Sequence, residues 1–301
     1  MSGNRDNHII GGARTKTGQE RIDQPDRPLV SVITITRNNR RQLEETIQSV
    51  LGQDYPNIEY IIIDGGSKDG SVETIREYEG RINYFCSEPD NGIYDAINKG
   101  IGQARGSIIN FLNSGDYYAD TDIVSRYVEI FLRRPEINMV FANARMINDD
   151  GTDFIEDGRS KLLIGGSYCG RLYFCHQTVF YHRSLHDRLG PYTTDRHKVL
   201  ADYYWWMRGY YQGVIKLDKL DAFTIMYRAG GPSMHLKAIR DQKRIEDEFL
   251  GRSLDSELLH ARNVLLYFLR RSEPGRIILK GLRRIKHAVV GRPGNRGPTL
   301  P

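Results

Sequence analysis

The most regular feature of the chain is an alternation between short β-branched runs and amphipathic segments, which begins after a polar N-terminus. The runs 30–36 and 58–63 are apolar or β-branched at almost every position, which is typical of strands buried on both faces of a parallel sheet. Between them, Leu43, Ile47 and Val50 recur at helical spacing on an otherwise polar segment. The pattern predicts a strand, a helix and a second strand in succession.

The alternation continues through two further strands, predicted at 82–86 and 107–112. Between them, Ile93, Ile97 and Ile101 repeat at four-residue spacing and predict a helix. A chain that alternates strand and helix in this way forms parallel strand pairs joined by right-handed crossovers. The sequence therefore predicts a doubly wound α/β sheet, a nucleotide-binding architecture in which ligands bind outside the carboxyl ends of the strands.

The second half of the chain has a mixed pattern. A helix is predicted over about 122–133, followed by short strands around a turn at 148–151. Beyond the turn, the pattern predicts a strand at 179–181, a helix at 199–211 and two edge strands at 214–217 and 222–228. Residues 1–27 show no apolar periodicity, and we expect them to form a loose, disordered tail.

The composition is that of a globular protein. Hydrophobic residues make up 39% and charged residues 27% of the chain, which argues against a disordered chain. No apolar run approaches the ~20 residues of a transmembrane helix, and residues 1–28 lack the apolar core of a secretory signal, so we expect a cytoplasmic protein. Cys86, Cys169 and Cys175 have neither the spacing of a disulfide framework nor that of a structural zinc site.

Two carboxylates follow strands that should end at the same rim of the sheet. Asp64 closes the second strand and Asp116 follows the fourth, although turn preference alone would also place Asp at such positions. A carboxylate at the end of the second strand can accept hydrogen bonds from a nucleobase or a ribose. Gly65 and Gly66 would let the backbone approach the ligand closely.

The position of Asp116 suggests a metal site. Near a pyrophosphate, a carboxylate would repel the ligand unless a cation lay between them, so we expect a hard divalent ion, Mg²⁺ or Mn²⁺, held by Asp116 and the phosphates. Such an ion stabilises a departing nucleoside diphosphate as a Lewis acid.

Four blocks of sequence resemble the ordered signature of the family 2 glycosyltransferases. They are Pro28–Asn38, Ile63–Ser71, Asn91–Gly100 and Leu112–Asp116, and the resemblance extends to His176–Tyr181 and Ala201–Trp205. It covers about residues 28–233 and implies a GT-A fold, with a Rossmann-like, mostly parallel sheet flanked by helices. It also implies inverting transfer of a sugar from a uridine or thymidine diphosphate sugar to the hydroxyl of a saccharide or lipid-linked acceptor, in cell-surface polysaccharide or glycolipid biosynthesis.

The resemblance also implies roles for individual residues. Asp64 matches the nucleobase-binding Asp of the family, Asp116 the last position of its metal-binding D-x-D motif, and Asp202 its catalytic base. Ser114 stands where the first Asp of that motif would be, so metal binding would rest on Asp116, the phosphates and water. The remaining positions expected to contact the donor are Thr36, Arg37, Gly65, Gly66, Asp95, Asn98, Ser114, His176 and Gln177.

Several of these positions have a plausible structural alternative. Asp95 and Asn98 lie one helical turn apart and could extend the donor pocket, or equally could be capping and solvent-facing residues. Asp202 could be a helix N-cap. His176 could be a hydrogen-bonded structural histidine. The loop 230–233 is expected either to cover the donor or to be a simple turn.

These assignments divide the chain into four parts. Residues 1–27 form the predicted tail, 28–117 the half of the GT-A domain that binds the nucleotide sugar, and 118–234 the acceptor and catalytic half. Residues 235–301 form a predicted helical arm with a basic amphipathic character. That arm could lie on an anionic membrane at its inner face, or its apolar stripe could pack on the catalytic domain or on a second subunit.

Other functions are less consistent with the sequence. A methyltransferase would place its glycine turn after the first strand rather than the second, and would leave Asp116 without a metal role. A non-catalytic nucleotide- or sugar-binding module is a further alternative. We do not expect nucleic-acid binding, because no recognised motif accompanies the basic residues.

Overall fold

A computed structural model of the protein describes residues 8–18, 20–147, 153–156, 158, 163–164, 167–168, 172, 174–228, 236–252 and 254–271. The strands are β1 (Ile9–Gly11), β2 (Val30–Thr36), β3 (Ile58–Asp64), β4 (Tyr84–Ser87), β5 (Ile108–Phe111), β6 (Tyr117–Tyr118), β7 (Met139–Ile147), β8 (Asp153–Glu156), β9 (Leu163–Ile164), β10 (Ser167–Tyr168), β11 (Phe180–His182) and β12 (Leu217–Arg228). The α-helices are α1 (Ala13–Thr17), α2 (Arg40–Leu51), α3 (Ser71–Glu77), α4 (Ile93–Gln103), α5 (Ile123–Arg133), α6 (Leu185–Leu189), α7 (Ala201–Tyr211), α8 (Leu236–Leu250) and α9 (Leu254–Arg271). A 3₁₀ turn spans His176–Thr178.

Ten of the described strands build one large mixed sheet with a parallel centre, and β9 and β10 form a separate antiparallel pair. The order of the large sheet is β1-β4-β3-β2-β5-β11-β7-β12-β6, with β8 paired to β7. Strands β4, β3, β2 and β5 run parallel to their neighbours in this group. The carboxyl ends of these four strands therefore meet at one rim, as the alternation in the sequence predicts.

Apolar side chains cover both faces of this sheet. On β2, Ile33 and Ile35 belong to one core with α4 and α7, whereas Val30 and Val32 belong to the other core with α2, α3 and α5. Successive residues of a strand point to opposite faces, so a strand buried on both sides must be apolar throughout. This is the doubly wound α/β arrangement that the sequence predicts.

The N-terminal segment differs from the predicted loose tail. Residues 9–11 form β1, which pairs antiparallel with β4, and α1 follows directly. Arg14 in α1 forms an ion pair with Glu59 at 3.0 Å, and both side chains are almost completely buried. A strand of three residues is too short to show periodicity, and its stability comes from pairing with β4 and from this tertiary ion pair.

The second half of the sheet also differs from the prediction in one respect. The predicted edge strand at 222–228 is part of a longer strand, β12, with register shifts between Leu220 and Ile225, whereas of the predicted edge strand at 214–217 only Leu217 is in a strand. Strand β12 lies inside the sheet, parallel to β7 and antiparallel to β6. The predicted hairpin is present as the antiparallel pair β7 and β8, although its turn at 148–151 lies outside the described residues.

The C-terminal helices α8 and α9 pack beside α7. Helix α8 packs on α7, and α9 packs on α8. Among the described residues, no helix combines the length and apolar character that crossing a bilayer requires. The predicted covering loop at 230–233 and the basic segment beyond residue 271 lie outside the described residues.

Candidate active site

The ends of the central strands bring most of the predicted site residues to one rim. Thr36, the last residue of β2, pairs in register with Asp64, the last residue of β3. Ser114, which follows β5, donates its amide hydrogen to Ile35 of β2, and Asn39 donates hydrogen bonds to the Ser114 carbonyl and hydroxyl at 3.0 and 3.1 Å. The parallel pairing thus gathers residues that are far apart in the sequence.

Asp64 is fully buried and its carboxylate is occupied by its own loop. Oδ2 accepts hydrogen bonds from the amides of Gly66 and Ser67 at 3.1 and 2.9 Å and from Ser87 Oγ at 2.6 Å. Oδ1 accepts from Ser67 Oγ. Gly66 has a φ of 76°, a conformation that favours glycine. In this structure Asp64 therefore shapes the turn after β3 and does not offer a free oxygen to a ligand.

Asp116 is a buried carboxyl at the end of the rim. Its Oδ2 accepts a hydrogen bond from Gln177 Nε2 at 2.6 Å, and its Oδ1 lies 3.4 Å from the amide of Arg228. Burial raises the pKa of Asp116 to about 7, even though these partners favour the charged form. Its negative charge is thus incompletely compensated by the protein.

The surroundings of Asp116 fit a hard divalent cation. Asn113 Oδ1, three residues earlier, is buried and accepts no hydrogen bond from the described residues. An orphaned amide oxygen and an under-compensated carboxylate are oxygen donors of the kind that Mg²⁺ and Mn²⁺ prefer. Asn113 was not among the predicted site residues, because its unpaired oxygen becomes visible only in the folded chain.

Asp202 lies in the first turn of α7 and is also buried. Its Oδ1 accepts hydrogen bonds from Tyr94 Oη at 2.6 Å and from the Tyr203 amide at 2.8 Å. Its Oδ2 lies 2.6 Å from His176 Nδ1. Burial pushes the pKa of Asp202 upward, but the neighbouring His176 and these hydrogen bonds outweigh it and hold the pKa below its usual range. Asp202 is therefore ionised at neutral pH.

His176 and Gln177 connect the two buried carboxylates. These consecutive residues of the 3₁₀ turn contact Asp202 and Asp116 respectively. His176 Nε2 is buried and has no hydrogen-bond partner among the described residues. Asp116 and Asp202, 86 positions apart in the sequence, therefore lie in one continuous site.

Asp95 and Asn98 have structural partners in the same region. Asp95 Oδ2 accepts a hydrogen bond from the Asn91 amide at 3.0 Å and lies 3.3 Å from Lys99 Nζ. Asn98 exchanges hydrogen bonds with the backbone of Tyr192 through both ends of its amide. These contacts favour the capping and packing alternative over a donor-binding role for both residues.

Tyr94 and Arg228 contact the buried carboxylates but are not among the predicted site residues. Tyr94 comes from the first turn of α4 and Arg228 from the end of β12. Tyr94 belongs to the Asn91–Gly100 block that resembles the family signature, but a single Tyr in an amphipathic helix or Arg at a strand end is common in any protein. Their place in the site depends on tertiary packing alone.

A family model described as glycosyl transferase family 2 matches residues 31–207. The chain belongs to glycosyl transferase family 2. The match includes the carboxyl ends of β2, β3 and β5 and continues through Asp202, so it contains the site described above except Arg228. Membership in family 2 argues against the methyltransferase alternative.

Curated relatives of this family 2 protein include mycobacterial enzymes. An uncharacterized glycosyltransferase of Mycobacterium tuberculosis is 36% identical over 171 residues, which is 56% of this chain and 64% of that protein. A PGL/p-HBAD biosynthesis glycosyltransferase of Mycobacterium bovis is 28% identical over 58% of this chain and 67% of that protein. The match thus spans less than two thirds of the first relative's length, 64%, and 67% of the second's.

Solved structures with the same fold are glycosyltransferases of the GT-A type. TarS 1-349 of S. aureus in complex with UDP-GlcNAc has a TM-score of 0.56 at 16% identity, covering 80% of this chain and 72% of that one. The mannosyltransferase PcManGT of Pyrobaculum calidifontis, in complex with GDP-Man and Mn²⁺, has a TM-score of 0.56 at 18% identity, covering 90% and 84%. The GT-A fold class is therefore confirmed.

Proposed function

We propose that the protein is an inverting glycosyltransferase that moves a sugar from a nucleoside diphosphate sugar to a hydroxyl of a saccharide or lipid-linked acceptor. The observation that carries this proposal is the pair of buried carboxylates, Asp116 and Asp202, bridged by the consecutive residues Gln177 and His176. A direct displacement needs a leaving-group site and a base on the opposite side of the reacting carbon. Two carboxylates with pKa values shifted in opposite directions suit these different tasks.

Asp116 is the residue that would hold the divalent cation, Mn²⁺ or Mg²⁺, and Asn113 of the same loop has a buried side-chain oxygen without a hydrogen-bond partner among the described residues. The bound ion would supply Lewis-acid stabilisation of the leaving diphosphate. The site supports this role because Asp116 carries a buried charge that Gln177 and the Arg228 amide only partly offset. Ser114 lies in the same loop but has no carboxylate, so it would not supply a second acidic ligand to the cation.

Asp202 is the proposed base. Its lowered pKa keeps it ionised, so it can accept the proton of the acceptor hydroxyl once one of its present hydrogen-bond partners gives way. The acceptor oxygen then forms a bond to the anomeric carbon, while the bond between that carbon and the diphosphate oxygen breaks and the nucleoside diphosphate departs with the electron pair. Attack from the face opposite the leaving group inverts the anomeric configuration.

Sugar transfer and release of nucleoside diphosphate test this proposal. With a panel of nucleotide sugars and Mn²⁺, we expect the wild-type protein to release nucleoside diphosphate with at least one donor, and Asp202→Asn to lose about 100-fold or more in turnover, as expected when a general base is removed. Asp187→Asn, an exposed position on α6, is the matched control and should keep wild-type turnover. Turnover of Asp202→Asn close to wild type would refute the assignment, and a retained anomeric configuration in the product would refute inversion. A non-catalytic binding module would show no release at all.

We also propose that α9 brings the enzyme to an anionic membrane, where a lipid-linked acceptor of glycolipid or polysaccharide biosynthesis would be found. Leu254, Leu258, Leu265 and Phe268 are 75%, 59%, 58% and 55% exposed, and their spacing places them along one side of the helix. The sequence continues with Arg276, Lys280, Arg283, Arg284 and Lys286. Exposed apolar side chains followed by basic residues are the combination that binds anionic lipid surfaces.

A further inference from the structure

The loop between β4 and α4 brings an additional carboxylate to the rim. Asp90 lies three residues before α4, and its side chain is only 9% exposed. Its Oδ1 accepts a hydrogen bond from the Gly92 amide at 3.0 Å and lies 3.6 Å from Arg37 Nη1. Within the part of the chain that the structure describes, its Oδ2 accepts no hydrogen bond. One oxygen of Asp90 is thus held by a hydrogen bond and the other is available to a ligand. Asp90 lies next to Arg37, which is expected to contact the donor.

The available oxygen of Asp90 occupies the space beside Gly65. A Cβ atom on residue 65 would lie 2.1 Å from Asp90 Oδ2 and 3.2 Å from Arg37 Cδ. Gly65 is not among the residues with positive φ, in contrast to Gly66. The backbone therefore does not demand glycine at position 65, but a side chain there would have to displace the Asp90 carboxylate.

Asp64, the carboxylate expected to bind the nucleobase, is not available for this task. Its two oxygens already accept hydrogen bonds from Gly66, Ser67 and Ser87, and its side chain is fully buried. Opening these contacts to bind a ligand would leave the loop donors unpaired, which is unfavourable in a buried position. Among the described residues at this end of the rim, Asp90 is the carboxylate that still has an oxygen available to accept a hydrogen bond.

We propose that Asp90 selects the base of the nucleotide donor by accepting a hydrogen bond from a ring N–H on its Oδ2. This inference rests on the proposed function and assigns a residue and a substrate class to it. Uracil and thymine carry such a hydrogen on N3 and guanine carries one on N1, whereas cytosine and adenine present a lone pair at the corresponding nitrogen, which a carboxylate repels. The predicted donors are therefore uridine, thymidine or guanosine diphosphate sugars.

Calorimetric titration of the full chain in Mn²⁺ tests this selection with two matched pairs of ligands, UDP with CDP and GDP with ADP. We expect wild type to bind UDP or GDP at least tenfold more tightly than its partner. Asp90→Asn replaces an acceptor oxygen by an amide that can donate to cytosine or adenine, so the preference should fall about tenfold to hundredfold. Gly65→Ala should reduce the preference in the same direction, because its methyl group displaces the carboxylate.

Glu88→Gln is the control, since it removes one negative charge from the same loop without contacting Gly65, and it should keep the wild-type preference. If wild type binds none of the four nucleotides and no thymidine diphosphate either, the proposed function itself fails. If wild type binds nucleotides and Asp90→Asn keeps the same preference, or if wild type prefers CDP and ADP, the role of Asp90 is refuted while the transferase proposal stands.

Discussion

Burial of the Asp116 carboxyl is expected to lower the free energy of unfolding of the metal-free protein at neutral pH. Burial raises the pKa of this carboxyl to about 7, whereas an Asp in the unfolded chain titrates near 3.8. Between these values the native state binds a proton that the unfolded state has lost, so stability falls as the pH rises from about 4 to 7 and then stays constant. A bound cation would remove this penalty by compensating the charge.

Asp116→Asn should therefore stabilise the metal-free protein while abolishing transfer. At pH 8 in EDTA we expect an increase in the free energy of unfolding on the order of 2–4 kcal/mol, measured by calorimetry or urea titration. At pH 4 the two proteins should have nearly equal stability, because wild-type Asp116 is then protonated as well. An equal effect at both pH values would show that the change acts through packing and not through charge.

Other residues at the rim show where sequence reasoning reaches its limit. The position of Asp64 and Asp116 at strand ends follows from hydrophobic patterning, and the structure places both on one rim. That Asp64 is occupied by Ser67 and Ser87, or that Asp90 fills the space beside Gly65, depends on how three loops fold together. No spacing in the sequence encodes those contacts.

At the scale of elements, strands β2 to β5 could be predicted because each is buried on both faces and is therefore apolar or β-branched at most positions. Strand β1 could not, since three residues carry no periodicity and its partner β4 is distant in the sequence. The first part of strand β12 could not be predicted either, because polar residues and the register shifts between Leu220 and Ile225 interrupt its pattern. Edge and irregular strands depend on tertiary context, which local patterns do not contain.

The N-terminal segment should contribute measurably to stability through Arg14. Its guanidinium pairs with buried Glu59 and also donates to the Gln103 carbonyl and side chain. Arg14→Ala should lower the free energy of unfolding by about 3–5 kcal/mol, since it leaves Glu59 without its buried partner. Urea titration measures this change.

Lys16→Ala provides the comparison for this prediction within the same helix. Lys16 pairs with Glu79 at 2.7 Å, but its side chain is 60% exposed, so its removal should change the unfolding free energy by less than about 1 kcal/mol. Similar small effects for both variants would indicate that α1 does not hold the N-terminal segment on the sheet.

At the scale of the whole molecule, the apolar side of α9 predicts binding to anionic lipid. In pelleting experiments the full chain should sediment with vesicles containing phosphatidylglycerol and should remain in solution with neutral phosphatidylcholine vesicles. Leu258→Glu combined with Phe268→Glu should reduce sedimentation at least tenfold, because two charges then face the lipid.

Leu132→Glu is the matched control for the α9 variant, as it changes an exposed apolar residue on α5 that is distant in sequence. Equal sedimentation of all variants would contradict the membrane proposal. Loss of a dimer in the α9 double variant, without any lipid binding by wild type, would assign this side of α9 to a second subunit instead.

The arrangement of the whole site implies that Asp116 and Asp202 act on different parts of one reaction. In the proposed mechanism, Asp116 would act in donor binding through the metal and Asp202 would accept the proton of the acceptor. Their connection through Gln177 and His176 places the two carboxylates in one site.

The most direct test is a comparison of donor binding and sugar transfer in Asp116→Asn and Asp202→Asn, using the nucleotide sugar that wild type consumes and Mn²⁺. Asp116→Asn should lose both donor affinity and transfer, whereas Asp202→Asn should bind the donor within about threefold of wild type and yet fail to transfer the sugar. If Asp202→Asn loses donor affinity as severely as Asp116→Asn, or if either variant transfers sugar at the wild-type rate, the proposed division of roles at this rim is incorrect.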